Sequence, residues 1–180
     1  LAGVGDEELS DGVFTIARAR FVWLVVNLMT AIVAASVIGF FSETIQMHVA
    51  LASLMPIVAS MGGNAGTQTL TVAVRALATR KLTASNMTRV IGREGIVGLL
   101  NGVGFAVVMG TLSALYFSDH VIGLVIGLAI IGNMVVAGFA GVLVPIGLEK
   151  LGVDPALASG TFVTTMTDVF GFFAFLGLAT

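Results

Sequence analysis

Apolar residues fall into five long runs, roughly 21–41, 46–79, 88–117, 121–148 and 155–180, each separated from the next by short polar or charged punctuation. A helix crossing the hydrocarbon core needs about 20 apolar residues. The pattern therefore predicts an all-α integral membrane protein with five transmembrane helices per subunit. Asp154 followed by Pro155 predicts an N-cap with proline at the first helical position of the fifth span, and Asn86 or Thr88 is placed to cap the third.

The second run departs from the others. As one helix, 46–79 would extend about 50 Å, well beyond a core of about 30 Å. It contains Pro56 and the segment Met61-Gly62-Gly63-Asn64-Ala65-Gly66-Thr67-Gln68. Proline removes a backbone donor and glycine weakens a helix, so a kink or unwound turn is expected here. The cluster is not a phosphate-binding loop, because it lacks the Gly-Lys-Ser/Thr ending and follows no strand. Gly62 with Gly66, Gly98 with Gly102 and Gly123 with Gly127 form GxxxG pairs, which let membrane helices approach closely. Packing explains the pairs in the third and fourth spans. It does not explain why Asn64, Thr67, Gln68, Thr69 and Thr71 gather around those of the second.

Composition agrees with the pattern: 57% of residues are hydrophobic, 10% are charged and the mean hydropathy is +1.08, against about 25% charged residues in soluble domains. The lipid bilayer is the expected surrounding, and nothing in the pattern points to nucleic acid. There is no cysteine, hence no disulfide framework or thiolate metal site. The first run is too long for a secretory signal and has no cleavage site after a short apolar core. With a cytoplasmic N-terminus, all eight basic residues (Arg18, Arg20, Arg75, Arg80, Lys81, Arg89, Arg93 and Lys150) lie in or near cytoplasmic segments. The outer loops then hold Glu43, His48, Asp119 and His120, and the C-terminus is outside. That is the positive-inside bias. Residues 1–17, with Asp6, Glu7, Glu8 and Asp11, read as a cytoplasmic connecting segment, and 18–180 as the membrane domain, with Trp23 as an interfacial anchor. Opening on Leu1 rather than Met, the chain reads as part of a longer one.

Asp168 carries the chemistry. It is a lone carboxylate near the middle of the apolar run 155–180, where a charge costs about 2.5–3.5 kcal/mol on insertion scales and by default faces protein, water or an ion. Gly160, Thr161, Thr164, Thr165 and Asp168 make a small-polar stripe on the fifth span, and Gly63, Thr67 and Thr71 recur every four residues on the second. Two such stripes facing each other could line a path; the alternative is that the hydroxyls bond back to their own helices. Asn27, Asn101 and Asn133 are isolated amides whose expected role is interhelical hydrogen bonding. Glu94 is expected to pair with Arg75 or a neighbouring basic residue. His48 and His120 lack metal-ligand spacing.

One carboxylate per chain is too little to cage a divalent ion. A two-fold homodimer with its axis near Asp168 would supply two. Such a sparse site suits Mg²⁺, which keeps several first-shell waters, better than Ca²⁺. A metal-to-water distance of roughly 2.1 Å plus a hydrogen bond of roughly 2.7 Å puts carboxylate oxygens up to about 4–5 Å from the metal. The Thr164 carbonyl, one turn away, would point into the same space if the stripe faces the axis. A dication entering across 100 mV gains about 4.6 kcal/mol, so passive influx needs no ATP.

The stretch Met55-Pro56 through Gly62-Gly63-Asn64-Ala65-Gly66-Thr67-Gln68, then Arg75-Ala76-Leu77-Ala78-Thr79, Gly152-Val153-Asp154-Pro155-Ala156 and Thr167-Asp168, in that order, resembles the membrane domain of MgtE magnesium channels over about residues 18–180. The resemblance implies a homodimer of five-helix subunits in the bacterial inner membrane, with a central pore lined by the second and fifth helices. It implies that Asp168 binds hydrated Mg²⁺, that Thr164 supplies a carbonyl, and that Gly63, Thr67, Thr71 and Gly160 line the pore; Asn64 and Thr161 belong to the same two segments. It also implies partner regulatory N and CBS domains in the cytosol, which these 180 residues do not include.

The reading that follows is a channel for passive Mg²⁺ influx. One rival is a proton- or sodium-coupled divalent-cation transporter, and another is a membrane assembly module in which Asp168 only pairs helices. No nucleophile–base constellation is present, so no enzymatic activity is expected.

Overall fold

In a computed structural model, residues 12–83 and 85–180 are described, and their regular structure is helical throughout: α1 (Val13–Phe40), α2 (Ser42–Met47), α3 (Ala50–Ala78), α4 (Met87–Phe117), α5 (His120–Lys150) and α6 (Pro155–Leu178). The acidic residues Asp6, Glu7, Glu8 and Asp11 lie outside the described residues. Four helices, α1, α4, α5 and α6, are long and apolar enough to cross a membrane. The remaining apolar run is divided between α2 and α3, parted at His48 and Val49. Its long helix, α3, is not among those four. Asn64, Thr67, Gln68, Thr69 and Thr71 dilute its apolar character.

The most buried helix is α5, which packs against α3, α4 and α6. Around it lies the main core, built from Leu51, Leu54 and Val58 of α3, Val125, Ile126, Ala129, Ile130 and Met134 of α5, and Phe175 and Leu176 of α6. A smaller cluster joins Ala73 and Leu82 to Val142 and Ile146, tying the α3–α4 loop to the far end of α5. Helix α1 leans chiefly on α6 and leaves Phe21, Leu24, Leu28 and Ile32 exposed. In lipid such a face costs nothing, because the surrounding solvent is as apolar as the side chains.

Capping follows local chemistry. The Asp154 carboxylate accepts from the Ala156 N–H at 2.8 Å with Pro155 behind it, as the sequence predicts. Asp119 caps α5 in the same way, accepting from Val121 at 2.8 Å. Asn86 sits at the start of α4 but makes no cap bond. Its amide closes the preceding loop instead, donating to the Lys81 carbonyl at 2.8 Å and accepting from the Thr83 N–H at 2.9 Å.

Of the kink or unwound turn expected in the second run, the unwound turn is corrected by the structure: α3 is continuous from Ala50 to Ala78, through Pro56 and all three glycines. Glycine disfavours a helix by about 1 kcal/mol in water. With α3 packed against α5 and α6 and with Gly62 and Gly66 buried, an unwound turn would leave backbone groups without partners, so the helix wins.

The ends of the helices alternate. Thr44 and Thr180 hydroxyls meet at 3.2 Å, and His48, Asp119 and Ala179 line one small pocket. The α2 segment, the α4–α5 turn and the end of α6 thus share one end of the bundle.

Candidate functional site

Asp168 lies near the middle of α6, half-buried. Among the described residues none donates a hydrogen bond to its carboxylate and none forms an ion pair with it. Thr165, Thr164 and Thr161, at three, four and seven residues before it, fall on the same helical face. Two of the hydroxyls point back along the helix: Thr164 donates to the Gly160 carbonyl at 3.0 Å and the Thr161 carbonyl at 3.1 Å, and Thr165 to Thr161 at 2.6 Å. On α3, Thr67 donates to the Gly63 carbonyl and Thr71 to the Thr67 carbonyl, both at 2.8 Å.

This is the back-bonding arrangement weighed against a path, and the two are compatible. A hydroxyl whose hydrogen is committed to its own backbone presents only lone pairs outward. Both stripes are consequently surfaces rich in acceptors. The Thr164 carbonyl, expected to face the ion, already accepts the Thr167 hydroxyl at 2.9 Å in addition to its helical partner. What Thr164 can offer outward is its own hydroxyl oxygen.

Within one chain the two stripes do not face each other. The contact between α3 and α6 is made by the neighbouring face, where a Cβ on Gly66 would come 2.6 Å from Val163 Cγ1 and 3.6 Å from Thr167 Cγ2. Gly63, Thr67 and Thr71 turn away from this contact, and a Cβ on Gly63 would meet nothing within 4 Å. The stripes flank the α3–α6 contact, with Gly160 and Thr161 half-buried at the near end of α6.

A separate cleft of about 490 Å³ opens between α3 and α4 over α5. It brings together Asn64, Thr67 and Gln68 with Asn101, between Met61, Phe105 and Met134, and does not include Asp168 or Thr164. Asn64 donates an amide hydrogen to Ser60 Oγ at 3.3 Å. The sequence marks Asn101 as an isolated amide; that it joins Asn64 across two helices depends on the α3–α5–α4 packing.

Glu94 pairs with its neighbour Arg93 at 2.8 Å and accepts from Thr69 at 3.3 Å, not from Arg75. Its carboxylate is therefore anchored, unlike that of Asp168. Asn133 bonds between helices, as expected of it, to the Val58 carbonyl. No group of three or more His, Asp or Glu that could hold a metal occurs among the described residues. At mid-helix depth one chain offers the unpaired Asp168 carboxylate with threonine hydroxyl oxygens, acceptors of the kind the water shell of an ion can meet.

A family model for MgtE, described as a divalent cation transporter, matches residues 55–178. The chain is 32% identical over 167 residues to the magnesium transporter MgtE of Bacillus subtilis, a match covering 93% of this chain and 37% of that protein. It is 35% identical over 179 residues to the magnesium transporter MgtE of Enterococcus faecalis, covering 99% and 40%. It is 36% identical over 162 residues to the magnesium transporter MgtE of Thermus thermophilus, covering 89% and 36%. The chain thus spans about two fifths of the length of the curated relatives it matches. With residues 55–178 bearing both stripes and Asp168, the chain belongs to the MgtE family of divalent cation transporters.

Proposed function

We propose that this chain forms the membrane pore of a magnesium channel. Two copies assemble as a homodimer of five-helix subunits, α3 serving as the fifth span, and hydrated Mg²⁺ flows passively inward between them. Residues 18–180 are the pore domain and 1–17 connect it to cytosolic regulatory domains of the full-length chain. The protein resides in the bacterial inner membrane with its N-terminus inside and its C-terminus outside.

The observation that carries this reading is the state of Asp168: mid-helix, half-exposed and without a protein donor among the described residues. A carboxylate at that depth is retained for what it binds. A hydrated cation presents only hydrogens outward, so its ideal wall contains only acceptors. The Asp168 carboxylates of both subunits and the outward lone pairs of Thr164, Thr67 and Thr71 make such a wall, with Thr161 lining it one turn further along α6, while Gly63 and Gly160 leave room for the water shell. Asn64 borders it with its amide oxygen. The polar face of α3 is accommodated because it turns toward the axis and not toward lipid. The magnesium transporters to which the chain is similar support Mg²⁺ as the ion carried.

The test is Mg²⁺ uptake into liposomes by the full chain, with and without Asp168→Asn. Uptake should fall at least about tenfold while dimerisation is kept. Unchanged uptake removes Asp168 from the path. Flux should persist with pH clamped and sodium absent; strict dependence on either gradient would establish a coupled transporter instead.

A further inference from the structure

Asn133 of α5 is completely buried, yet only half of its amide is satisfied. Its Nδ2 donates to the Val58 carbonyl of α3 at 2.9 Å, and its Oδ1 has no hydrogen-bond partner among the described residues. The side chain is seated in a slot made by two glycines on two different helices. A Cβ on Gly62 of α3 would overlap the amide, lying 2.6 Å from Cγ and 2.8 Å from Oδ1. One on Gly171 of α6 would lie 2.6 Å from Nδ2 and 3.2 Å from Cγ. Both glycines are themselves buried. Three helices therefore meet on one amide, and each of the two flanking helices has given up its side chain to admit it.

The position of that slot matters. Gly62 adjoins Gly63, the first residue of the α3 stripe, and Gly171 comes one turn after Asp168 on α6. Helices are stiff over one turn, so the distance and rotation fixed at the slot are transmitted directly to the stripe and to the carboxylate. An apolar residue of similar volume would fill the space without leaving a buried acceptor unpaired, which is the costlier arrangement. Packing alone does not account for an asparagine here. A directional bond to α3 combined with a close fit against α6 does: it fixes the relative register of the two helices, as single buried amides do in helical assemblies.

We propose that Asn133 is a positioning residue for the ion path, holding α6 against α3 so that Asp168 is presented at the height and rotation that grip the hydrated ion. This rests on the assignment of Asp168 to the path given above. The amide does not touch the ion. It acts through the geometry of the helices on either side.

The test uses the full chain in liposomes, with Asn133→Leu as the near-isosteric loss of the tether and Asn133→Ser as the conservative variant that keeps a hydroxyl donor near Val58. Assembly is read by size-exclusion chromatography, and Mg²⁺ uptake by its half-saturating concentration and its maximum, with Ca²⁺ as competitor. Asn133→Leu should remain assembled, raise the half-saturating Mg²⁺ concentration at least about fivefold and make Ca²⁺ a stronger competitor. Asn133→Ser should recover at least about half of that shift. Unaltered half-saturation and competition in assembled Asn133→Leu would overturn the proposal. So would failure of both variants to assemble, because Asn133 would then be a general core residue. Asp168→Asn is run in parallel. If it alone abolishes uptake while Asn133→Leu matches the parent, only the positioning role is lost; if it leaves uptake intact, the site assignment fails as well.

Discussion

Two helix pairs in this bundle are built from glycine, and they use it differently. Between α4 and α5, the glycines other than Gly95, which admits the Phe139 ring, chiefly bring backbone against backbone: a Cβ on Gly98 would overlap the Met134 carbonyl oxygen and lie 3.1 Å from Val135 Cα, and one on Gly138 would lie 2.5 Å from the Glu94 carbonyl oxygen. Gly110 and Gly123 approach each other in the same way, a Cβ on Gly110 lying 2.9 Å from the Gly123 carbonyl oxygen. Between α3 and α6 the glycines admit side chains, namely the Asn133 amide at Gly62 and Gly171 and Val163 at Gly66. Gly63, on the adjacent face of α3, admits nothing from this chain. The same residue type thus serves as a close-contact surface in one pair, and in the other as a contact surface beside an open polar face. That open face lies beside the helix bearing Asp168, whose carboxylate has no partner among the described residues.

The contrast is broken most severely at Gly98. A methyl group there meets backbone atoms that cannot rotate away, so Gly98→Ala should destabilise by about 3 kcal/mol, the upper part of the range for overpacked cores. Thermal unfolding in detergent, followed by the loss of the assembled peak in chromatography, measures it; a shift of less than about 1 kcal/mol would show that α4 and α5 slide apart easily. At Gly66 the obstacle is a valine side chain, with Val163 Cγ1 at 2.6 Å. A rotamer change relieves part of it. Gly66→Ala should therefore cost about 1–2 kcal/mol, and pairing it with Val163→Ala should restore stability if the contact is the cause.

Thr164→Val tests the acceptor face and leaves the packing alone. The hydroxyl donates only to carbonyls of its own helix, so stability should change by less than about 1 kcal/mol. Mg²⁺ uptake should fall several-fold, because the lone pairs turned toward the proposed water shell are replaced by a methyl. Uptake equal to that of the parent would remove Thr164 from the path.

Much of this arrangement is legible in the chain, for physical reasons that differ by element. Hydrophobic run length places the helices because lipid admits few other structures, and the Asp154-Pro155 cap is local chemistry that works without knowledge of the fold. The continuity of α3 is not legible when glycine and proline are weighed by their cost in water, since the relevant alternative is unpaired backbone buried against α5 and α6. The division at His48 and Val49 falls between the largely polar α2 and the apolar start of α3, two residues past the start of the apolar run at 46, so run length alone misplaces it. Asn86 has the composition of a cap, yet its partners are the loop residues Lys81 and Thr83, and choosing between the two requires the loop's shape. Asn133 is visible as an isolated amide. Its partner, Val58, is 75 residues away and offers only a backbone carbonyl, which no side-chain pattern reveals.

The smallest stability effect belongs to Gly63, and its sign is what separates the two uses of glycine. No atom lies within 4 Å of a Cβ placed there, and the residue is in the interior of α3. Alanine is favoured over glycine in a helix interior by about 0.5–1 kcal/mol, so Gly63→Ala should leave one chain as stable as before or raise its stability by about that amount. The side of α3 on which Gly63 lies is the one proposed to leave room for the ion's water shell. Uptake should fall as stability holds or rises. If Gly63→Ala instead destabilised like Gly98→Ala, Gly63 would be a contact glycine in the assembled protein, and the open face would be an interface. If neither stability nor uptake fell, the face would be open without being part of the path.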